Sequence, residues 1–103
     1  MEKLPVEIKK KWVIALKSEK FKQANGVLKN ELGYCCLGVL CEVQKIEPDG
    51  YSYSGLDNPD PEVLRVLTQI KDGDTRSFEG ILVRMNDYSR NFSEIADWIE
   101  VNL

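Results

Sequence analysis

The apolar run Gly33-Tyr34-Cys35-Cys36-Leu37-Gly38-Val39-Leu40-Cys41 holds all three cysteines of this 103-residue chain. A structural zinc site needs four Cys or His ligands, and the sequence contains no histidine. The adjacent Cys35 and Cys36 would bridge only through a strained ring, because a disulfide requires facing Cβ vectors. Any other pairing leaves one thiol over. We therefore expect three reduced, metal-free cysteines that act mostly as small buried hydrophobes, as in proteins of a reducing cytoplasm.

Composition is that of one small domain spanning residues 1–103, with 43% apolar and 30% charged residues. A domain of this size has a modest core, so oligomerisation would be a useful source of further burial. The net charge of −3 argues against nonspecific binding to a nucleic-acid polymer, which depends on clustered cations. No apolar run approaches the ~20 residues of a membrane span, and the first residues lack the apolar segment of a secretory signal. We expect neither a membrane nor a nucleic-acid polymer as partner.

The absence of histidine also excludes Ser-His-Asp and Cys-His catalysis. There is no glycine-rich phosphate loop. The aspartates at positions 57, 60, 72 and 74 all stand in turn or cap contexts that explain them locally. A carboxylate-dependent phosphodiesterase therefore remains a weak alternative, and we predict a protein that is not an enzyme and has no cofactor.

Outward from the cysteine run, the pattern predicts a helix over residues 37–45 and, before it, a hairpin with arms at 26–30 and 33–36. Gly38 lies inside the predicted helix, so we expect another backbone or a ligand to approach it closely. Residues 5–18 show an apolar stripe at helical spacing, with Pro5 suited to the first helical position.

The second half of the chain begins with a long predicted loop over residues 46–59. It includes a possible short strand at Tyr51 to Tyr53, whose rings would stack on a base or pack on their own loop. A helix is predicted from Asp60-Pro61 to Gly73, a loop over 72–80, and a strand or a single helical turn over 81–85. The last helix is predicted to start near Asn91, which forms a capping box with Glu94. The predicted fold class is α+β, with about four helices packed on a small antiparallel hairpin or sheet.

Two parts of the sequence resemble a family of small bacteriophage proteins. The first runs from Trp12-Val-Ile-Ala-Leu16 through Phe21-Lys22-Gln23 to the cysteine run. The second comprises Leu82-Val-Arg-Met-Asn-Asp87 and Phe92-Ser-Glu-Ile-Ala-Asp-Trp-Ile-Glu100. The resemblance covers residues 7–46 and 81–103 and leaves the middle of the chain divergent.

In the size of its members and in their broad distribution, this family is similar to the viral nucleotide sponges that disarm CBASS immunity. In CBASS immunity a host cyclase makes cyclic di- or trinucleotide messengers that activate a killing effector. The resemblance implies a phage immune-evasion protein that binds such a messenger, for example 3′3′-cyclic GMP–AMP, without cleaving it. It further implies a homotetramer in the cytoplasm of the infected bacterium.

A cyclic dinucleotide needs donors for two phosphates, polar groups for base edges and flat side chains for stacking. Lys22 and Arg84 are the candidate phosphate ligands. The other candidate ligand-binding residues are Gln23, Asn86 and Asp87 for base edges or ribose hydroxyls, and Phe21 or Tyr34 for stacking. The structural alternatives are that Phe21 belongs to the core, that Lys22 and Gln23 are simply solvated, and that Asn86-Asp87 forms a turn and cap before the last helix.

A rival function is inhibition of a host protein. The acidic surface and the C-terminal amphipathic helix would then dock onto a host enzyme. Binding of a cyclic nucleotide discriminates the two functions, because a protein-directed inhibitor would show none.

Overall fold

The computed structural model describes residues 3–45, 61–70, 73–88 and 90–103. These residues form five helices and one two-stranded antiparallel hairpin. The predicted α+β class is confirmed, with one helix more than the four expected. The long loop over 46–59, with its possible strand at Tyr51 to Tyr53, lies outside the described residues.

Helix α1 spans Val6–Lys17 and turns its predicted apolar stripe towards the core. At the centre of the stripe, Trp12 is fully buried, and its indole Nε1 donates to the carbonyl of Cys36 at 2.9 Å. Pro5 precedes the helix as its N-cap, with φ −53° and ψ 135°. The prediction that Pro5 is the first helical residue was therefore wrong by one position, because its ψ is still that of an extended chain.

The hairpin consists of strands β1 (Lys29–Asn30) and β2 (Gly33–Tyr34). The Asn30 side chain closes the turn, accepting from the backbone N–H groups of Leu32 at 2.8 Å and Gly33 at 3.1 Å. This is the local bonding that makes asparagine a turn residue. Each arm is only two residues long, shorter than predicted, because the chain enters the next helix almost directly after β2.

Helix α2 spans Cys36–Gln44. Cys35 is its N-cap, and its Sγ accepts from the backbone N–H of Gly38 at 3.3 Å. The close approach expected at Gly38 is present. A Cβ built on Gly38 would stand 1.9 Å from the carbonyl oxygen of Leu28, so the backbone before the hairpin lies directly against α2.

All three cysteines are buried, as predicted, and none of the three forms a disulfide in the part of the chain that the structure describes. Burial raises the pKa of the Cys35 thiol to about 11, and it raises the pKa of Cys36 well above its ordinary value. Both groups are therefore protonated thiols at neutral pH and weak nucleophiles.

Helix α3 begins at Pro61 as predicted but ends at Leu67, not near Gly73. The chain does not continue as a helix after Leu67, because two other contacts hold it. Ile70 forms an isolated β-bridge with Ser77. The carbonyl of Gln69 accepts from the backbone N–H of Phe78, the first residue of the next helix, at 2.9 Å.

Helix α4 spans Phe78–Tyr88, where the sequence predicted a loop followed by a strand or a single helical turn. The strand alternative and the loop over residues 78–80 were wrong, whereas the helical alternative over 81–85 was right in kind but too short. Ser77 starts the helix by accepting from the backbone N–H of Gly80 at 3.2 Å. The buried stripe is Phe78, Leu82 and Asn86, and a polar third member weakens the apolar periodicity that marks a helix in a sequence.

Helix α5 spans Phe92–Asn102, and the predicted capping box is confirmed. Asn91 accepts from the backbone N–H of Glu94 at 2.8 Å, and Glu94 accepts in return at 3.4 Å. The helix packs against α1. Leu103, which directly follows α5, accepts with its carbonyl from the backbone N–H of Leu4 at 3.0 Å. Four apolar residues of α5 belong to the core, because Phe92, Ile95, Ala96 and Ile99 are buried, whereas Val101 near the end of the helix is 80% exposed.

Candidate functional site

The segment around Gln23 contacts the end of α4 in the structure. The Gln23 side-chain nitrogen donates to Asn86 Oδ1 at 3.0 Å and to the carbonyl of Arg90 at 2.8 Å. These bonds join the loop after α1 to the last turn of α4 and to Arg90, the residue before the N-cap of α5.

Asn86 is a buried structural residue with 2% of its surface exposed. Its Oδ1 accepts from the backbone N–H of Cys36 at 3.2 Å, and its Nδ2 donates to the carbonyl of Ala24 at 2.8 Å. Gln23 also donates to Asn86 Oδ1. The side-chain amide of Asn86 therefore makes its hydrogen bonds within the fold and offers little to a ligand. The turn-and-cap alternative was wrong as well, because Asn86 lies inside α4.

Asp87 is half-buried, and one of its oxygens accepts from the backbone N–H of Gly26 at 2.9 Å. Gly26 has a φ of 79°, in the region that favours glycine. Asp87 therefore holds the Asn25-Gly26 turn against α4, and it leaves part of its carboxylate facing the surface.

Phe21 and Tyr34 contact each other. Their ring centroids are 5.2 Å apart with perpendicular planes, an edge-to-face pair. Both rings are partly buried against the core, so the core alternative stated for Phe21 describes its packing well.

The structure does not bring Lys22 to Arg84. The Lys22 carbonyl accepts from Tyr34, and its Cβ lies over Gly33, 3.2 Å from where a Cβ of that glycine would stand. Since successive side chains of an extended segment point to opposite sides, Lys22 faces the hairpin while Gln23 faces α4. Arg84 instead lies on the exposed surface of α4.

Arg84 lies in a shallow pocket of about 240 Å³ formed by three arginines around one tyrosine, which we call the arginine pocket. Its polar members are Arg76, Arg84, Arg90 and Tyr88, and Ile81 and Met85 complete the lining. The guanidinium carbon of Arg84 lies 5.8 Å from the centroid of the Tyr88 ring, within cation–π range. Tyr88 is 79% exposed, so the ring can also receive a flat ligand.

The three arginines differ in their partners. Arg76 pairs with Asp74 at 3.3 Å and Arg90 with Glu94 at 3.2 Å. The backbone N–H of Arg76, followed by its guanidinium, lowers the pKa of Asp74. Arg84 has no carboxylate within ion-pair distance among the residues that the structure describes. Within the described ranges, Arg84 is therefore a cation of this pocket that has no carboxylate partner.

A second depression of about 390 Å³ adjoins the arginine pocket and shares Tyr88 and Arg90 with it. We call it the amide groove, because Gln23, Asn25 and Asn91 line it together with Asp87. Amide groups donate and accept hydrogen bonds in fixed directions. The two neighbouring depressions thus combine cations, an exposed ring and side-chain amides.

Of the residues that line the two depressions, the sequence analysis named Arg84, Gln23, Asn86 and Asp87 as candidates, but it did not name Tyr88, Arg76 or Arg90. The signal for Tyr88 was its position four residues after Arg84, which places two side chains on one helix face. That signal requires a helix through residue 88, which the sequence analysis did not predict. In the described ranges no group of three His, Cys, Asp or Glu side chains is placed to hold a metal ion.

Residues 4–52 are similar to a domain of unknown function (DUF8296). The match covers just under half of the chain, from the residue before Pro5 through α2, and leaves α4 and α5 outside. Neither the curated proteins nor the solved structures gave a match. No helix in the described parts of the chain is long and apolar enough to cross a membrane.

Proposed function

We propose that this protein binds a cyclic dinucleotide, such as 3′3′-cyclic GMP–AMP, and sequesters it without cleaving it. The observation that supports the proposal most strongly is the arginine pocket joined to the amide groove. A cyclic dinucleotide carries two phosphodiesters and two bases, and these depressions supply groups of both matching kinds.

Arg84 is the proposed phosphate ligand. Guanidinium groups bind phosphate oxygens with two parallel hydrogen bonds, and Arg84 has no competing carboxylate in the described part of the chain. Arg76 and Arg90 are engaged in exposed ion pairs. Such pairs contribute at most about 1 kcal/mol, so a phosphate can recruit either arginine at little cost.

Tyr88 and the amide groove are the proposed base-binding elements. Stacking of a base on an aromatic ring contributes about 1–3 kcal/mol, and the exposed Tyr88 ring lies between the two depressions. Asn25 and Asn91 would then read the edge of the second base, and Gln23 would contribute only its carbonyl oxygen, because its amide nitrogen donates to Asn86 and Arg90.

Sequestration, and not hydrolysis, is proposed because the described lining of the two depressions offers a catalyst little: its polar and aromatic members are arginines, amides, a ring and one carboxylate, that of Asp87, which accepts from the backbone N–H of Gly26. The buried Cys35 and Cys36 thiols have raised pKa values and do not line either depression. In the infected bacterium, binding of this kind would withdraw the messenger from a CBASS effector. This role, the phage origin and the cytoplasmic location follow from the sequence resemblance and form part of the proposal.

The rival function, docking of the C-terminal helix onto a host protein, receives less support. Most of the apolar face of α5 is buried within the fold, which leaves the exposed Val101 as the large hydrophobic residue of this helix that a partner could contact.

A thermal-shift panel of cyclic di- and trinucleotides tests the proposal. Ligand at a hundredfold excess over its dissociation constant stabilises the native state by about 2.7 kcal/mol. Since about 1 kcal/mol moves the melting midpoint of such a domain by roughly 4–8 °C, at least one ligand should give a clear shift. Heating the complex should release that ligand intact. A flat panel would favour the inhibitor, and released linear dinucleotide would favour an enzyme.

A further inference from the structure

The sequence contains a single Asn-Gly pair, Asn25-Gly26, which lies in the loop after α1. An asparagine side chain loses its amide when the backbone nitrogen of the following residue attacks its Cγ. Glycine hinders this attack least, because it has no Cβ. Both residues are exposed, and a Cβ built on Gly26 would meet no atom within 4 Å, so water reaches the pair. Asn25 therefore has the neighbour and the exposure that deamidation requires.

The nucleophile of this reaction, the backbone nitrogen of Gly26, is bonded to α4. Its N–H donates to Asp87 Oδ1 at 2.9 Å. The nitrogen has to lose this proton in order to attack, and the neighbouring carboxylate disfavours the negative charge that remains. The same bond restrains the peptide group, which has to rotate towards Cγ. In the folded turn, Asp87 therefore opposes the attack in two ways.

The leaving group, the side-chain nitrogen of Asn25, is bonded to the same helix. In the amide orientation that places this nitrogen against two backbone carbonyls, it donates to Asn86 at 2.9 Å and to Ala24 at 3.3 Å. The carbonyl of Ala24 also accepts from the Asn86 side chain at 2.8 Å. Both reacting groups are thus fixed to the last turn of α4. The ring can close only after residues 25 and 26 detach from that helix.

We infer that Asn25 is a deamidation site and that Asp87 keeps it in its unreactive form. When the turn opens, the Gly26 nitrogen gives its proton to a base of the solvent and forms a bond to Asn25 Cγ. The side-chain nitrogen takes up a proton and leaves as ammonia. The resulting succinimide adds one water across either of its two carbonyl–nitrogen bonds and yields aspartate or isoaspartate at position 25. The inference stands apart from the proposed function, because the reaction needs no ligand.

The reaction changes the surface on which it takes place. It replaces a neutral amide by a carboxylate in the amide groove, which Asp87 also lines. Two carboxylates on one surface repel each other. The new side chain also has no N–H to donate to the carbonyl of Asn86. The modified turn is therefore held less tightly against α4 than the original one.

Peptide mapping by mass spectrometry tests the inference on the full chain, incubated at mildly alkaline pH. The native protein should gain aspartate and isoaspartate at position 25 slowly, because only the locally open state reacts. Asp87→Ala removes a hydrogen bond to a charged group and should react roughly tenfold faster or more. The native protein unfolded in urea should react at least as fast as this variant. Asn91 is the internal control and should stay unmodified, since the bulky Phe92 follows it.

A second variant keeps the test decisive if Asp87→Ala does not fold, which circular dichroism would show. Asp87→Asn retains an oxygen that accepts from Gly26 but lacks the charge, so its rate should lie between those of the native protein and of Asp87→Ala. Three results would overturn the inference: no modification at position 25 in urea, equal rates in the folded and the unfolded native protein, or folded Asp87 variants that react no faster than the native protein.

Discussion

Asn86 donates its side-chain nitrogen to the carbonyl of Ala24 at 2.8 Å, across 62 residues of sequence. The same amide accepts from the backbone N–H of Cys36 at 3.2 Å. One buried side chain on α4 thus ties down both the loop after α1 and the first turn of α2. These bonds fix the backbone on which the amide groove is built.

Replacing Asn86 by alanine should therefore destabilise the protein. The change leaves a buried N–H and a buried carbonyl without their partner, and each such group costs about 1–3 kcal/mol. Urea denaturation should show the midpoint falling with an unchanged slope. Arg84→Gln, an exposed change on the same helix, is the control and should stay within about 0.5 kcal/mol of the native protein. Equal stability of Asn86→Ala and the native protein would contradict the structural role of the amide.

Gly38 and Gly80 should respond in opposite ways to alanine. Both lie in helices, where alanine is intrinsically favoured over glycine by about 0.5–1 kcal/mol. A Cβ on Gly38 would stand 1.9 Å from the Leu28 carbonyl oxygen, whereas the nearest atom to a Cβ on Gly80 is 3.5 Å away. Gly38→Ala should lower the melting temperature sharply, and Gly80→Ala should hold or raise it. A stabilised Gly38→Ala variant would show that Leu28 does not lie against α2.

The sequence predicted the elements whose signals are local. Two of these features depend on residues within one element: the apolar stripe around Trp12, and the capping box of Asn91 and Glu94. A third, the close approach at Gly38, depends on the missing side chain of one residue. Helix α4 was missed because its third buried position is Asn86, whose partners are far away in sequence. The arginine pocket was missed for the same reason, since Tyr88 joins Arg84 only if α4 continues to residue 88.

The buried thiols should be inert in the folded protein. Cys35 has a pKa of about 11 because burial disfavours its thiolate, and only the thiolate reacts with disulfide reagents. At pH 8 a chromogenic disulfide should therefore label the native protein slowly, and three thiols per chain should react quickly after denaturation in urea. Fast labelling of a folded sample would contradict the described burial of Cys35, Cys36 and Cys41.

The raised thiol pKa values also predict a pH dependence of stability. As the pH rises from about 9 towards 11, the unfolded chain loses its thiol protons before the folded one does. The unfolded state then binds fewer protons, and the free energy of unfolding falls with rising pH. The melting temperature of the native protein and of Cys35→Ala should be measured at pH 8 and at pH 10. The melting temperature should fall less between the two pH values in the variant than in the native protein. An identical decrease in both proteins would exclude a contribution from Cys35.

Calorimetric titration of 3′3′-cyclic GMP–AMP into the native protein and Arg84→Gln tests the proposed function most directly. Loss of a hydrogen bond to a charged group costs about 1.5–3 kcal/mol, so the variant should bind roughly ten- to a hundredfold more weakly. Lys11→Gln removes an exposed cation of α1 and should bind like the native protein. Lys22→Gln should also bind normally, because that side chain faces the hairpin. No heat of binding in the native protein, or equal affinity in native protein and Arg84→Gln, would contradict the account.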